Sequence, residues 1–476
     1  MMKVMQLSYD HLPFHLKPLL LYFSRSQKSK RTPVSRLMQL WMAEGLVDHD
    51  IPSKTSLEEA TQSYLDALIS SSLIMMDHIP SERSESFSVM IKVCYVHDVM
   101  HDFCSVISKK EKFFKLINSG DRFHASDFLH HRLTIHTDDS QVHKRCVLFN
   151  SNKCSAGSKH LRSLKVSRSL DNSRYICHTR HMRLVRVLQL GNIILGDSLV
   201  EEIGSLFHLR FLSIQAYMKA IPLSWVHLQN LETLLINTEN TIISMVLLPR
   251  ILKLSKLKHM SINMSFFFED EEDADPRRIL EAENSKLATL SRVLISYSQG
   301  TNDALAKFPN LQHLECTIMA PKCPTNGDWF PKFDVLNKLE SLIAIYVEPL
   351  FTYAITLLPQ LEILEIIDSY FIMAEWDASE DIYQSIKTLR LEYTKLSEWE
   401  VDRETFPKLE ELILAHCEKL TEIPCAFRDI ETLKSIRMLQ SKRELGDSAI
   451  EIKKQVVDFA GEGRLYVHIS HPYERR

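Results

Sequence analysis

One apolar signature, apolar-x-x-apolar-x-apolar, recurs twelve times through the last two thirds of the chain. Its copies begin at Leu161, Val185, Leu209, Leu231, Leu257, Leu290, Leu311, Leu339, Leu361, Ile386, Leu409 and Leu433. Successive starts lie 21 to 33 residues apart, with a mean near 25. Side chains alternate along a strand, so the fourth and sixth positions of each copy share one face. A unit this short cannot bury that face alone, and only stacking on neighbours gives a continuous core.

Repeats of this period and pattern are leucine-rich repeats, each expected to add one short strand to a horseshoe. The predicted solenoid runs over 161–440, with 441–476 as a cap and 121–160 as a linker from the preceding module. Ile221-Pro222 and Ile423-Pro424 are expected on the outer return of their units. The asparagine-ladder position holds Ile193, Tyr217 and Glu239, and of the positions read only Cys417 fits the Asn-or-Cys rule, so the units are irregular. The 33-residue gap after Leu257 contains Phe266 to Asp275, where six acidic residues fall within seven. Like charges at that density repel, and a solvated insertion is expected.

Bulk numbers narrow the function classes. The 476 residues include 57 basic and 61 acidic side chains for a net charge of −4, unlike the clearly basic balance of a dedicated nucleic-acid binder. Nine cysteines include no C-x-x-C pair, which favours reduced thiols over a disulfide framework or zinc ribbon. No run of 18 apolar residues occurs. The sequence contains neither G-x-x-x-x-G-K-[ST] nor G-x-G-x-x-G, so no phosphate-cradling loop is recognisable in it. These signals predict a cytoplasmic chain, with a peripheral-membrane or nuclear pool alongside, that binds a partner and is not an enzyme.

Residues 1–120 read as three helices, a hairpin and a closing helix, a mostly α winged-helix module. Ser8 or Asp10 is expected to cap a helix with Pro13 in its first turn. Leu16 to Phe23 is expected to be buried. Val34 to Leu46 and Leu57 to Ile69 carry helical apolar faces, the first ended by Gly45. Apolar runs at 72–76 and 87–91 flank a polar turn at Pro80–Ser86, and a last helix is expected over Val96–Ile107.

Four motifs carry a family resemblance: LSYDHLPFHLKPLLLYFS at 7–24, LMQLWMAEGLV at 37–47, EEATQSYLDALISSSLI at 58–74 and VCYVHDVMHDFC at 93–104. In this order, and followed by the repeats, they resemble the second half of the nucleotide-binding (NB-ARC) region of plant disease-resistance proteins. Those are nucleotide-binding leucine-rich-repeat receptors of the coiled-coil class, in the style of the late blight resistance proteins of nightshades. The resemblance implies plant defence and the hypersensitive response. Recognition would be of a pathogen effector or a guarded host protein, with other immune receptors as further partners and no specific nucleic acid. It implies that His97 and Asp98 stand in the family's M-H-D motif, where the histidine faces the β-phosphate of ADP. Full-length relatives would exchange ADP for ATP. The family's P-loop, magnesium-binding aspartate and G-L-P-L motifs have no counterpart here, so the chain is expected to be an N-terminally truncated receptor, with no cofactor of its own and no switch alone.

Contacts to the partner are expected from the outward strand positions on the concave face: Arg210, Phe211, Ser213, Lys258, His259, Gln312, His313, Glu315, Glu362, Glu365, Lys387, Arg390, Glu410 and Glu411. Three alternatives remain. An adaptor or decoy would use the same surface. A DNA-binding winged helix would use Arg25, Lys28, Lys30, Arg31 and Arg36 on phosphates. His97 and His101, at i and i+4, mimic a zinc-protease helix, but lack the glutamate and a third ligand.

Overall fold

The computed structural model describes residues 2–47, 55–80, 90–118, 127, 129–137, 158–168, 181–216, 218, 221–237, 253–266, 286–296, 305–319, 332–345, 354–367, 375–460 and 463–470. The chain divides into two compact units, Met1–Asn240 and Thr241–Arg476, each described in turn.

The first unit opens with α1 (Met2–His11) and α2 (Lys17–Leu21), the latter flanked by 3-10 turns at Phe14–Leu16 and Tyr22–Arg25. Ser8 does not cap a helix, contrary to the sequence expectation. It lies inside α1, where its hydroxyl donates to the Val4 carbonyl, and Pro13 instead precedes the first 3-10 turn. Next come β1 (Thr32–Pro33), α3 (Val34–Glu44), α4 (Leu57–Ser70), the hairpin β2 (Met75–Pro80) and β3 (Met90–Tyr95), and α5 (Asp98–Lys110). β3 pairs antiparallel with both β1 and β2. The hairpin lies about three residues later than the apolar runs suggested, because Ser72 takes a left-handed φ of 58° and holds the strand start back. The rest of the intervening turn beyond Pro80 lies outside the described residues.

Local chemistry explains the helix ends. Ser56 and Glu59 form a reciprocal capping box on α4, with bonds of 3.1 and 2.9 Å. α3 stops at Gly45, whose φ of +71° lets the Gly45 and Leu46 amides close onto the Met42 and Trp41 carbonyls. A β-carbon at Gly45 would meet the Arg186 guanidinium at 3.1 Å, which the flexible side chain could relieve by a small shift, so it is the left-handed backbone that favours glycine. Trp41, Leu65, Leu68 and Phe103 fill the core between these helices.

Strands β4 (Lys115–Ile117), β5 (Arg132–Thr137), β6 (Ser163–Arg168), β7 (Val187–Leu195), β8 (Phe211–Ala216) and β9 (Thr233–Asn237) complete the unit, each parallel to the next. The parallel stack therefore begins before Leu161. Part of the stretch expected as a linker, Arg132–Thr137, is a strand paired in register with β6. Between β7 and β8 runs α6 (Asp197–Ile203), over which Trp225 is fully buried with its indole N–H on the Val200 carbonyl at 2.8 Å.

The second unit holds β10 (His259–Phe266), β11 (Thr289–Ser296), β12 (His313–Met319), β13 (Ser341–Ile345), β14 (Ile363–Ile367), β15 (Glu375–Asp377), β16 (Thr388–Glu392), β17 (Glu398–Glu400), β18 (Glu411–Ala415), β19 (Ser435–Leu439), α7 (Arg443–Ala460) and β20 (Tyr466–Ser470). All but β15 and β17 form one parallel stack, ending where β20 pairs with β19. β15 and β17 pair with each other on the return segments, where Trp376 stacks on Trp399 and Tyr383 on Phe406. Pro222 and Pro424 each precede a 3-10 turn on a return, as their Ile-Pro pairs suggested. The acidic run 269–275 lies outside the described residues.

The missing asparagines have substitutes. Thr394, Cys417 and Ser441 occupy the ninth position of successive units. Thr394 donates to Cys417 Sγ, Cys417 to the Leu391 and Ala415 carbonyls, and Ser441 to those of Leu414 and Leu439, all at 3.3–3.5 Å. Just before them Tyr393, His416 and Gln440 all take a left-handed φ near 50°. The last units thus build their ladder from hydroxyls and a thiol.

Candidate functional site

Two surfaces matter: the N-terminal end of α5, and the strand face opposite the apolar core.

At α5, His97 is the N-cap, and its Nδ1 accepts from the Val99 amide at 3.3 Å. An imidazole that accepts at Nδ1 carries its proton on Nε2, so the exposed nitrogen is a donor. Asp98 accepts from the Ser29 hydroxyl at 2.8 Å, Lys28 pairs with Asp102 at 2.6 Å, and His101 Nε2 meets the Ser26 carbonyl at 2.7 Å. Asp98, His101 and Asp102 therefore clamp the segment 26–29 onto α5. His101 is buried in that clamp, whereas His97 and Asp98 stay exposed. Among the described residues no group of three metal-ligating side chains comes together. His131 bonds the His160 carbonyl at 3.0 Å, and His124 lies outside the described residues.

In the first unit the strand face is already covered. Arg36 of α3 lies 4.6 Å over the Phe211 ring and donates to the Ser213 hydroxyl at 3.1 Å. Phe211 (0% exposed) and Val187 belong to the winged-helix core. Phe211 and Ser213 are therefore not the free partner contacts the strand pattern suggested; they hold the module. Glu44, at the end of α3, sits between Arg25 at 3.5 Å and Arg132 of β5 at 3.0 Å. Its side chain is 1% exposed. Arg210 remains partly exposed.

This docking also accounts for the basic residues of the DNA alternative. Arg25 is 2% exposed and bonds the Tyr22 phenol, Lys28 is paired as above, Arg31 pairs with Asp77 at 3.3 Å, and Arg36 is engaged with β8. Only Lys30 among the five lacks a described partner on the winged-helix module.

Beneath the module lies His136, 9% exposed, whose pKa is lowered to about 4 by burial and then by the Lys165 ammonium, opposed by a contact with the Arg25 backbone and helped by the Lys30 and Arg25 charges. The unfolded chain accepts a proton near pH 6.5 that the folded chain refuses until about pH 4. Stability is complete above that window and falls as pH drops through it, by about 3 kcal/mol at full depth. Urea midpoints measured from pH 7 to pH 4 should show this loss, and His136→Gln should flatten it. An unchanged slope in the variant would place the titration elsewhere.

In the second unit the outward positions divide. Lys258, His259, Gln312, Glu362, Glu365, Lys387, Glu410 and Glu411 are partly exposed, and His313 is exposed. Several pair along the array: Gln312 with Glu340 at 3.1 Å, Lys387 with Glu362 at 2.7 Å, Lys434 with Glu410 at 2.6 Å, and Arg437 with Glu411 at 2.8 Å. Lys387 is held above its usual pKa by its Glu362 hydrogen bond, and Glu410 below its own by Lys434. Glu315 is 7% exposed and Arg390 1%, so neither offers a charge to a partner. Arg390 is instead closed onto Glu392, through Nε at 3.1 Å and Nη2 at 2.8 Å.

A winged helix docked on parallel leucine-rich repeats is the class of molecule these observations define. Residues 27–104 match the winged helix domain of disease resistance proteins. The chain's homologues are late blight resistance proteins of Solanum demissum. It is 30% identical over 492 residues to the homolog R1B-16 and 27% identical over 520 residues to the late blight resistance protein R1-A, covering 95% and 98% of this chain. The alignments take in 36% and 38% of those proteins, so the chain spans little more than a third of their length. Among solved structures, an internalin from Listeria monocytogenes aligns over 67% of this chain and 83% of its own, with 13% identity and a TM-score of 0.42. No helix among the described residues is long and apolar enough to cross a membrane.

Proposed function

We propose that this chain is the sensing part of a plant intracellular immune receptor, recognising a pathogen effector or a guarded host protein through the strand face of its second unit. The observation that carries this is the difference between the two units. The first unit's face is occupied by the winged helix through Phe211, Ser213 and Val187, whereas the second unit's face presents partly exposed charge at Glu362, Glu365, Glu411 and Arg437. Homology to late blight resistance proteins supports the defence role. Mixed, self-paired charge suits a protein partner better than a polyanion. The site of action is proposed to be the cytoplasm.

His97 and Asp98 are proposed as the inherited nucleotide contact, with Nε2–H of His97 as the phosphate donor. With no phosphate-cradling loop in this sequence, the chain alone is proposed not to bind ADP or ATP.

Display of pathogen effectors and host proteins against the full chain tests the recognition surface. Binders should lose at least tenfold affinity with Glu365→Lys plus Glu411→Lys. Binders indifferent to that pair but sensitive to Glu398→Lys on the return segments would overturn the surface assignment. Calorimetry with ADP and ATP should give no heat of binding. Micromolar binding that disappears in His97→Ala would instead restore the switch to this chain.

A further inference from the structure

Where the winged helix meets β5 and β6, the described residues bring together cations and unused donors without enough acid to match them. Thr134 and Lys165 are register partners, and Ser163 and His136 lie two residues away on the same strand face. Over them sits the 3-10 turn ending at Arg25. Arg25 Nε and Nη2, Thr134 Oγ1 and Ser163 Oγ are all buried without a hydrogen-bond partner among the described residues, and the buried His136 ring meets only the Arg25 backbone, outside good hydrogen-bond geometry. Lys165 Nζ reaches the Ser26 hydroxyl at 3.5 Å, a long contact for an ammonium. The charges it feels most are Arg25, Lys30 and Arg36, all positive. Glu44, the acid of this region, is committed to Arg25 Nη1 and Arg132.

Buried donors are normally satisfied, and buried cations normally paired. Unmatched donors and cations gathered on one strand face beneath the turn are a set that an anion can match.

We propose that Arg25, Thr134, His136 and Lys165 form a binding site for a small phosphate-class oxyanion, held between the winged helix and the first strands. A tetrahedral oxyanion has three or four acceptor oxygens, enough for a guanidinium edge, an ammonium, an imidazole N–H and a hydroxyl at once. A carboxylate has two. Arginine's fixed fork suits such oxygens. Arg25, Thr134 and His136 are buried and Lys165 only partly exposed, so a nucleic acid or a membrane surface could not engage the whole set. The bound anion would join the two parts of the first unit, since its ligands come from both. The site uses neither His-Asp pair of α5, so it is separate from the proposed nucleotide contact.

The test is thermal unfolding and calorimetry of the full chain in inorganic phosphate and in pyrophosphate, against chloride at matched ionic strength. Pyrophosphate should raise the wild-type midpoint by several degrees at concentrations well above its dissociation constant. His97→Ala should respond equally. Lys165→Met should be no less stable than wild type in chloride, because it removes an uncompensated cation, and should lose the response. Thr134→Val, which keeps all the charges, should weaken binding about fivefold, the worth of one hydrogen bond. No midpoint shift in wild type, a full response in Lys165→Met, or loss of the response in His97→Ala would each overturn the assignment.

Discussion

Glu44→Gln is expected to cost the first unit about 3–5 kcal/mol, the scale for leaving a buried charge without its partner. The substitution keeps the shape of the side chain and removes only its charge. Arg25, 2% exposed, and Arg132, 16% exposed at its side chain, would then face each other across the junction with Arg186 nearby. The native carboxylate also sits at the C-terminal end of α3, the end that disfavours negative charge, so its arginines must outweigh that cost as well. Because Glu44 comes from α3 and Arg132 from β5, the loss should appear as undocking of the module as well as lowered stability. Urea unfolding, with limited proteolysis at the junction, would read both. Replacing Arg132 by Met in the Glu44→Gln background should recover part of the loss, since fewer stranded cations remain. A loss below about 1 kcal/mol would mean that water already screens the pair.

The legibility of this chain divides along the same line as that prediction. The twelve strands were readable because each carries apolar residues at the signature spacing, and all twelve are present, but the sixth unit starts three residues before Leu290: Leu290 pairs with Leu314, the fourth position of its copy, and a left-handed Arg292 (φ 64°) shifts the rest. Gly45 was readable because a left-handed helix stop leaves a glycine behind it. β4 and β5 were not, because Leu116 and Leu133-x-Ile135 show one alternation each and no leucine at the repeat's first position. The hydroxyl and thiol ladder escaped because Thr394 and Ser441 do not match an Asn-or-Cys rule, although their geometry does the same job for the neighbouring carbonyls. At the candidate site, His97 and Asp98 were legible from a motif, and both are exposed. The coverage of Phe211 and Ser213 was invisible, since strand alternation says which way a side chain points but not what lies above it. Buried charge is the hardest to read. Glu44, Arg25 and Arg390 belong to types that are exposed by default, and only tertiary contacts reveal otherwise.

Arg390 and Glu392 carry the second large effect. They stand two residues apart on β16, on one face, 1% and 0% exposed, with two hydrogen bonds between them. Their register neighbours are Glu365 and Ile413 beside Arg390, and Ile367 and Ala415 beside Glu392. Glu392→Ala should lower stability by about 2–3 kcal/mol, the scale of hydrogen bonds to a charged group, because the guanidinium cannot reach water without opening the stack even with Glu365 beside it. Arg390→Leu alone should also destabilise, since Glu392 is left buried and Glu365 loses a neighbouring cation. Arg390→Leu with Glu392→Leu should recover most of either loss or exceed wild-type stability, as buried pairs repay their desolvation poorly. Denaturant unfolding of the three variants closes a cycle whose coupling should favour the pair. If Glu392→Ala proves near neutral while abolishing partner binding, the pair is an exposed recognition element after all. The partner surface of the second unit would then extend across β16 instead of running beside it.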